Sequence, residues 1–390
     1  MQFRRMLFSG LSVFLVSVVM ACGTAGADPK ANPVNGDGGP SDGSSNDGDP
    51  MDDSRMMDSA GPDAAPPPPC TLLSLTTKVA TLAGCDTSGS ADGVRSVGRF
   101  SNPTNTIIGS DGTTYVSDFD NNLLRAVDAT GTTRTVLEKP EFKRPFGLAL
   151  APNGALYVET DDNDMGMHST ATGTLWLVEP ASGSATVLAR NLGRPRGLAV
   201  LGDGRIAMAD HQHHVVSIFN PSTTTVTPLA GTVDTPGYVN DTGAAARFSR
   251  PYDIVVLANG DLAVTDSGNH RVRQITLAGV VTDLAGSGVT ANTDGPVATA
   301  TFDAPQGLAV SGSTLYVSDV HGFVIRKIEA GQVVTIAGDG TAGWLDGDNP
   351  LTAKFYGLEG LDVDATRLVI ADGNGGNGMP FNHVRVIHLK

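Results

Sequence analysis

The sequence predicts an all-β protein, a six-bladed β-propeller of four-stranded antiparallel sheets. Three observations point there. Short apolar runs alternate with turn signals, a pattern of strands and tight turns rather than helices. The four-strand unit recurs at intervals of roughly forty to sixty residues, near the period of propeller blades. The 390 residues include 48 glycines and 23 prolines with 17% charge, which suits a turn-dense chain.

The clearest unit occupies residues 247–286. Pro251 opens it, residues 254–257 are apolar, and Asn259-Gly260 marks a hairpin turn. Residues 262–264 are apolar again, Asp266 follows, and a polar turn leads to further apolar runs at 272–275 and 281–285. Counterparts begin at Pro103, Pro145, Pro195, Pro305 and Leu358, covering 103–127, 145–178, 195–219, 305–328 and 358–387. A lone meander buries neither face, so the copies must stack, and a ring of them leaves only short edges. Aromatics are 5% of the chain, so the core is expected to rest on Val, Leu, Ile and Ala.

One strand is out of place. Residues 78–84 match the fourth strands at 280–286 and 333–338, yet they precede the first blade. The last blade runs out after its third strand, residues 383–389. The N-terminal strand is therefore predicted to complete the C-terminal blade and remove two free edges. The chain divides into a signal peptide (1–21), a tether (22–70) and the propeller (71–390).

The leader has Arg4-Arg5 before an apolar run over residues 6–20, the pattern of an export signal. Val19-Met20-Ala21-Cys22 resembles a bacterial lipobox, which implies acylation of Cys22 and a lipid bilayer as partner. The rival is cleavage after Ala25-Gly26-Ala27. Gly23 rather than Asp follows the thiol, which by resemblance to enterobacterial lipoprotein sorting implies the outer membrane of a Gram-negative envelope. Residues 23–69 carry nine aspartates against Lys30 and Arg55 and almost no large aliphatics, the composition of a solvated tether. Prolines 66–69 stiffen its end. Met51, Met56 and Met57 are either a soft-metal site or incidental. Cys70 and Cys85 form an even pair in an oxidising compartment, open to a disulfide or to two separate thiols. Net charge is −15 with no basic stripe, which argues against nucleic acid as a partner.

In a propeller, the turn between strands two and three shares a face with the start of strand one. The first-strand starts hold Thr104, Phe146, Arg196, Tyr252, Gln306 and Glu359. The ends of the second strands hold Asp118, Thr160, Asp210, Asp266, Asp319 and Asp372. Asp118, Asp266 and Asp319 precede Arg125, Arg273 and Arg326 by one interval, and Asp372 precedes Arg385 after a longer loop. These read as hairpin ion pairs that fix a turn. Blade three keeps Asp210 but has Ser217 in place of the arginine, and its turn reads His211-Gln212-His213-His214. Blade two has Thr160, then the excursion Asp161-Asp162-Asn163-Asp164 to His168, a possible calcium loop without complete spacing. Blade six carries an insertion at 373–380. Such insertions either mark a binding face or are variable solvated loops.

These residues resemble the NHL-repeat family of β-propellers. The resemblance rests on Pro305-Gln306-Gly307, residues 315–319 (Leu-Tyr-Val-Ser-Asp) and Asn269-His270-Arg271-Val272-Arg273. Linking segments such as Leu229-Ala230-Gly231 and Ile336-Ala337-Gly338 add to it, over roughly residues 78–390. It implies the fold and leaves function open, because one propeller hosts many chemistries. By the same resemblance His270 and His383 are structural. Similar propellers include an amidating lyase, lactonases and streptogramin lyases. The lyase resemblance implies zinc-binding histidines at first-strand starts, and none is His here. A lactonase implies a converging metal set, for which Glu359, Asn105 and Asp210 are conceivable members.

The ligand-binding candidates are Phe146, Arg196, Asp210, His211, His213, Tyr252, Gln306 and Glu359. No nucleophile stands with a base and an orienter, so no catalytic residues are assigned. No cofactor is expected, with a divalent metal at Asp210, His211 and His213 as the alternative. The reading is a membrane-tethered, secreted binding or scaffold module presenting its loop face to a protein, peptide or glycan. The alternatives are a propeller enzyme with its site at the channel mouth and a structural envelope component.

Overall fold

A computed structural model describes residues 70–163, 165–373 and 381–390. The signal, Cys22, the methionine group and the acidic arm lie outside the described residues, as do Asp164 and most of the blade-six insertion. Six antiparallel sheets form the blades. They span residues 103–138, 145–189, 195–231, 251–285, 305–337 and 357–388. Blade five gains a short fifth strand, Gly295–Pro296, paired to its outer edge.

The strand Val79–Gly84 pairs antiparallel with the last strand, His383–His388. Val79 faces Ile387 and Thr81 faces Arg385. The sixth blade thus takes its outer strand from the start of the domain, as the sequence predicts. Cys70 and Cys85 form a disulfide at the two ends of this segment, with Cα atoms 6.1 Å apart. The chain folds back through residue 70, whose amide donates to the Ser96 carbonyl at 2.8 Å.

The core lies between blades. One cluster joins Ala207, Val216 and Ile218 of blade three to Ile254, Leu262 and Val264 of blade four. Aliphatics dominate, as expected from composition, but the interfaces also hold a repeated aromatic set that sequence analysis did not anticipate. Phe100, Phe248, Phe302 and Phe355 are fully buried. Each lies 4.8 to 5.3 Å beneath a buried guanidinium: Arg125, Arg273, Arg326 and Arg385. Desolvated cation–π pairs of this kind contribute about 2 kcal/mol.

The same four arginines make the predicted hairpin pairs. Arg125 reaches Asp118 at 2.8 Å, Arg273 reaches Asp266 at 2.6 Å, Arg326 reaches Asp319 at 3.4 Å, and Arg385 reaches Asp372 at 2.7 Å. Each aspartate also accepts a backbone N–H from the preceding segment: Ser101, Ser249, Asp303 or Tyr356. Each arginine spreads its other nitrogens to Asp92, Asn240, Asp294 or Asp346 in the linking loop. A buried charge is tolerable when paired and hydrogen-bonded. Each guanidinium here meets a carboxylate and donates through both terminal nitrogens, although the buried Nε of Arg125, Arg273 and Arg326 makes no hydrogen bond.

Blade two replaces the ion pair by a neutral one. Trp176 occupies the arginine's register position, facing Val158 as Arg125 faces Val116. Its indole N–H donates to Thr160 Oγ1 at 3.0 Å, and Phe142 meets the ring edge-on at 5.7 Å.

Inner strands approach closely at their third residue. A Cβ on Gly197 would lie 2.6 Å from the backbone of Tyr252 and Asp253, so only glycine fits there.

Two outcomes follow from this packing. Deleting residues 71–84 leaves blade six with an open edge; the variant is expected to lose its cooperative melt and aggregate, as scored by calorimetry and light scattering. Asp266→Ala strands the Arg273 guanidinium in a buried site; urea denaturation is expected to show a loss of about 3–5 kcal/mol.

Candidate functional site at the channel mouth

The residue after the opening Pro or Leu of each first strand sits at a register break. The breaks fall between Pro103 and Asn105, Pro195 and Gly197, Pro251 and Ile254, Pro305 and Leu308, and Leu358 and Leu361. Blade two has the same break between Pro145 and Leu148. An unpaired extra residue in a strand has its side chain re-aimed, and here one such residue comes from every blade.

A cavity of about 380 Å³ opens at this face. Arg196, His211, Tyr252, Gln306 and Glu359, all sequence candidates, line it. Phe146 lies behind them, with its ring 4.2 Å from the Arg196 guanidinium carbon and edge-on to Tyr252 at 5.8 Å. Thr104, at the same position in blade one, is instead buried against the Pro145 carbonyl.

Arg196, Tyr252 and Glu359 form one chain. Arg196 donates to the Tyr252 hydroxyl at 3.1 Å, and that hydroxyl donates to Glu359 Oε2 at 3.3 Å. Arg196 also reaches Asp161 at 3.3 Å. Burial pushes the Glu359 carboxyl up to about 7, against the pull of Arg196. Burial, reinforced by the Glu359 charge, raises the Tyr252 phenol well above its usual value. Burial and then the Arg196 charge hold His211 well below the usual imidazole range, so it is neutral at pH 7. Its Nδ1 lies 3.3 Å from the Arg194 carbonyl, and its ring packs edge-on to Tyr252 at 5.8 Å.

Asp210 and His213 do not line the cavity. Asp210 accepts the amides of Gln212 and His213 and pairs with His213 Nδ1 at 2.8 Å, so it closes its own turn. With Ser217 facing Met208 in the arginine's place, His213 serves as the partner that arginine provides elsewhere. His211 and His213 are thus drawn to different partners. Among the described residues, no three His, Cys, Asp or Glu side chains are grouped to hold a metal. The blade-two run also separates: Asp161 meets Arg196, Asp162 pairs with His168, and Asn163 caps its own loop at Met165 and Met167.

Sequence reasoning did not place Arg250, Phe323 or Tyr356 in the site, and assigned His270 and His321 no ligand role. All five line the cavity. Tyr356 stacks between Phe323 and Phe381, with centroids 6.4 and 4.7 Å away. Arg250 and Tyr356 directly precede the first strands of blades four and six, while His270, His321 and Phe323 lie in the turns between strands two and three of blades four and five.

The NHL repeat family profile matches residues 248–275, the first three strands of blade four. The chain carries an NHL repeat. Within it, Asn269 donates to Asp266 at 2.8 Å beside Arg273, which gives two of the repeat's signature residues a physical role. His270 sits in the left-handed region (φ 54°) and accepts the Ala304 amide at 3.2 Å. NHL repeat-containing protein 2 of Homo sapiens is 36% identical over 84 residues, 21% of this chain and 12% of that protein. The match therefore spans about an eighth of that relative's length. A structural genomics protein of unknown function from Bacteroides thetaiotaomicron shares the propeller fold with TM-score 0.64 and 22% identity, over 79% of this chain and 74% of its own. An auxiliary nutrient binding protein from the same organism gives 0.63 and 18%, over 79% and 75%.

The near-neutral Glu359 makes this NHL-repeat propeller's stability pH-dependent. Its folded value lies above the ordinary carboxylate value, so its contribution is complete below about pH 4.5 and is lost as pH rises through about 7. Glu359→Gln, which never ionises, is expected to flatten the fall in Tm across that window relative to wild type.

Proposed function

We propose that the protein is an envelope-tethered binding module that takes a glycan at the channel mouth of its propeller. The observation that carries this reading is the cavity itself. It joins a hydrogen-bonding floor of Arg196, Tyr252, Gln306 and Glu359 to an aromatic wall of Tyr356 and Phe323. Ligand sites are concave, largely apolar and furnished with a few placed polar groups, with volumes from about 300 Å³ upward. Sugar rings offer a C–H face to an aromatic wall and hydroxyls to a polar floor. The auxiliary nutrient binding protein of the same fold supports a binding role. The leader, the lipobox-like Val19-Met20-Ala21-Cys22 and the acidic arm support display from the outer membrane of a Gram-negative cell by an acylated Cys22.

A second reading has one observation in its favour. A carboxyl that titrates near neutrality and a neutral imidazole face one cavity, which is the equipment of acid–base catalysis. Product analysis after incubation with any bound sugar separates capture from turnover.

Calorimetry with a panel of mono- and oligosaccharides tests the binding reading. Tyr356→Ala and Gln306→Ala are expected to weaken the tightest ligand about tenfold each while leaving Tm within a few degrees. If the whole panel produces no heat and no thermal shift at millimolar concentration, the reading fails.

A further inference from the structure

Arg250 is placed at the rim of this cavity by an unusual backbone. It directly precedes Pro251, holds φ at 52°, and donates its amide to His214 Nδ1 at 3.0 Å. Its side chain is exposed and lines the cavity. No described carboxylate pairs with its guanidinium, although the chain carries a net charge of −15. Its charge reaches inward, since it helps to lower both His211 and His214.

The groups below it ask for different chemistry. Gln306 Oε1 is buried and accepts no hydrogen bond, so it needs a donor from a ligand. Glu359 is available beside it, engaged at one oxygen by Tyr252. Tyr356 and Phe323 offer a stacked aromatic wall. Three requirements therefore meet in one cavity: an anion at the rim, hydroxyl donors at the floor and an apolar ring face at the wall. A fatty acid would leave Gln306 buried without a partner. A neutral hexose would leave Arg250 unmatched.

We infer that the ligand is a carboxylate-bearing sugar, a hexuronate either free or at the end of a glycan, with its carboxylate on Arg250. The inference rests on the binding reading above and specifies its ligand. Arg250 offers two parallel N–H donors to a carboxylate, the geometry that distinguishes arginine as an anion receptor.

Calorimetry of the propeller with D-glucuronate and D-galacturonate, against D-glucose and D-galactose, tests it. Short oligouronides and their methyl esters form a second arm that separates free from glycan-borne acid. The acids are expected to bind at least about tenfold more tightly than the neutral sugars and esters. Arg250→Gln, at an exposed position, is expected to abolish that preference with an unchanged melt. Equal binding of acidic and neutral sugars, or a preference that survives Arg250→Gln, overturns the inference while leaving the glycan-binding reading intact. Tighter binding of a dipeptide through its free carboxylate overturns it in favour of a peptide. Binding of no sugar at all removes the broader reading and this inference together.

Discussion

A four-stranded blade is apolar on both faces and has to be covered on both. That constraint organises the molecule. Each blade is covered by its neighbours, the neighbours close a ring, and the ring has to be sealed by hydrogen bonds rather than by packing alone. The seal is the pairing of Val79–Gly84 with His383–His388, which makes two ends of the domain adjacent strands of one sheet. The Thr81 amide even accepts the role that other blades give their own fourth strand. It donates to Asp346 as Thr135 donates to Asp92 and Thr335 to Asp294.

The buried arginines show how the ring tolerates polar groups at its interfaces. Arg125, Arg273, Arg326 and Arg385 each lie over a phenylalanine and between two acceptor groups from different segments. One side chain thereby ties a linking loop, a hairpin turn and the preceding segment together. The arrangement is specific because a guanidinium offers five donors in a fixed plane. Blade two shows that a tryptophan and a threonine also satisfy the geometry. Blade three shows what happens when the arginine is lost and a histidine from the turn moves into its place.

The channel mouth is built by a different device. A register break at the start of each first strand frees one side chain per blade to face the mouth. Four of these six, Arg196, Tyr252, Gln306 and Glu359, are consecutive around the ring and line one cavity. Removing them and the neighbouring His211 from water together explains the perturbed titration: a carboxyl near neutrality, a phenol held protonated and an imidazole held neutral. The framework is rigid and repeated, while the chemistry varies from blade to blade at the positions the breaks release.

Much of this was legible in the chain itself. The period of the meanders determined the number of blades, the displaced strand at 78–84 determined the closure, and the Asp-to-Arg interval determined the hairpin pairs. These are local or periodic signals, and strand alternation and turn chemistry express them directly. The first-strand residues were legible as site candidates for the same reason. Tertiary structure alone decided which of them meet. Thr104 and Phe146 start strands like the others, yet one is packed against a backbone carbonyl and the other lies behind Arg196. Asp210 and His213 looked free in sequence and are consumed by their own turn. Arg250, Tyr356 and Phe323 come from three loops with no common spacing, and the phenylalanines beneath the arginines lie outside the strands. Such neighbours are set by how blades lean on one another, a long-range outcome that no periodicity along the chain encodes.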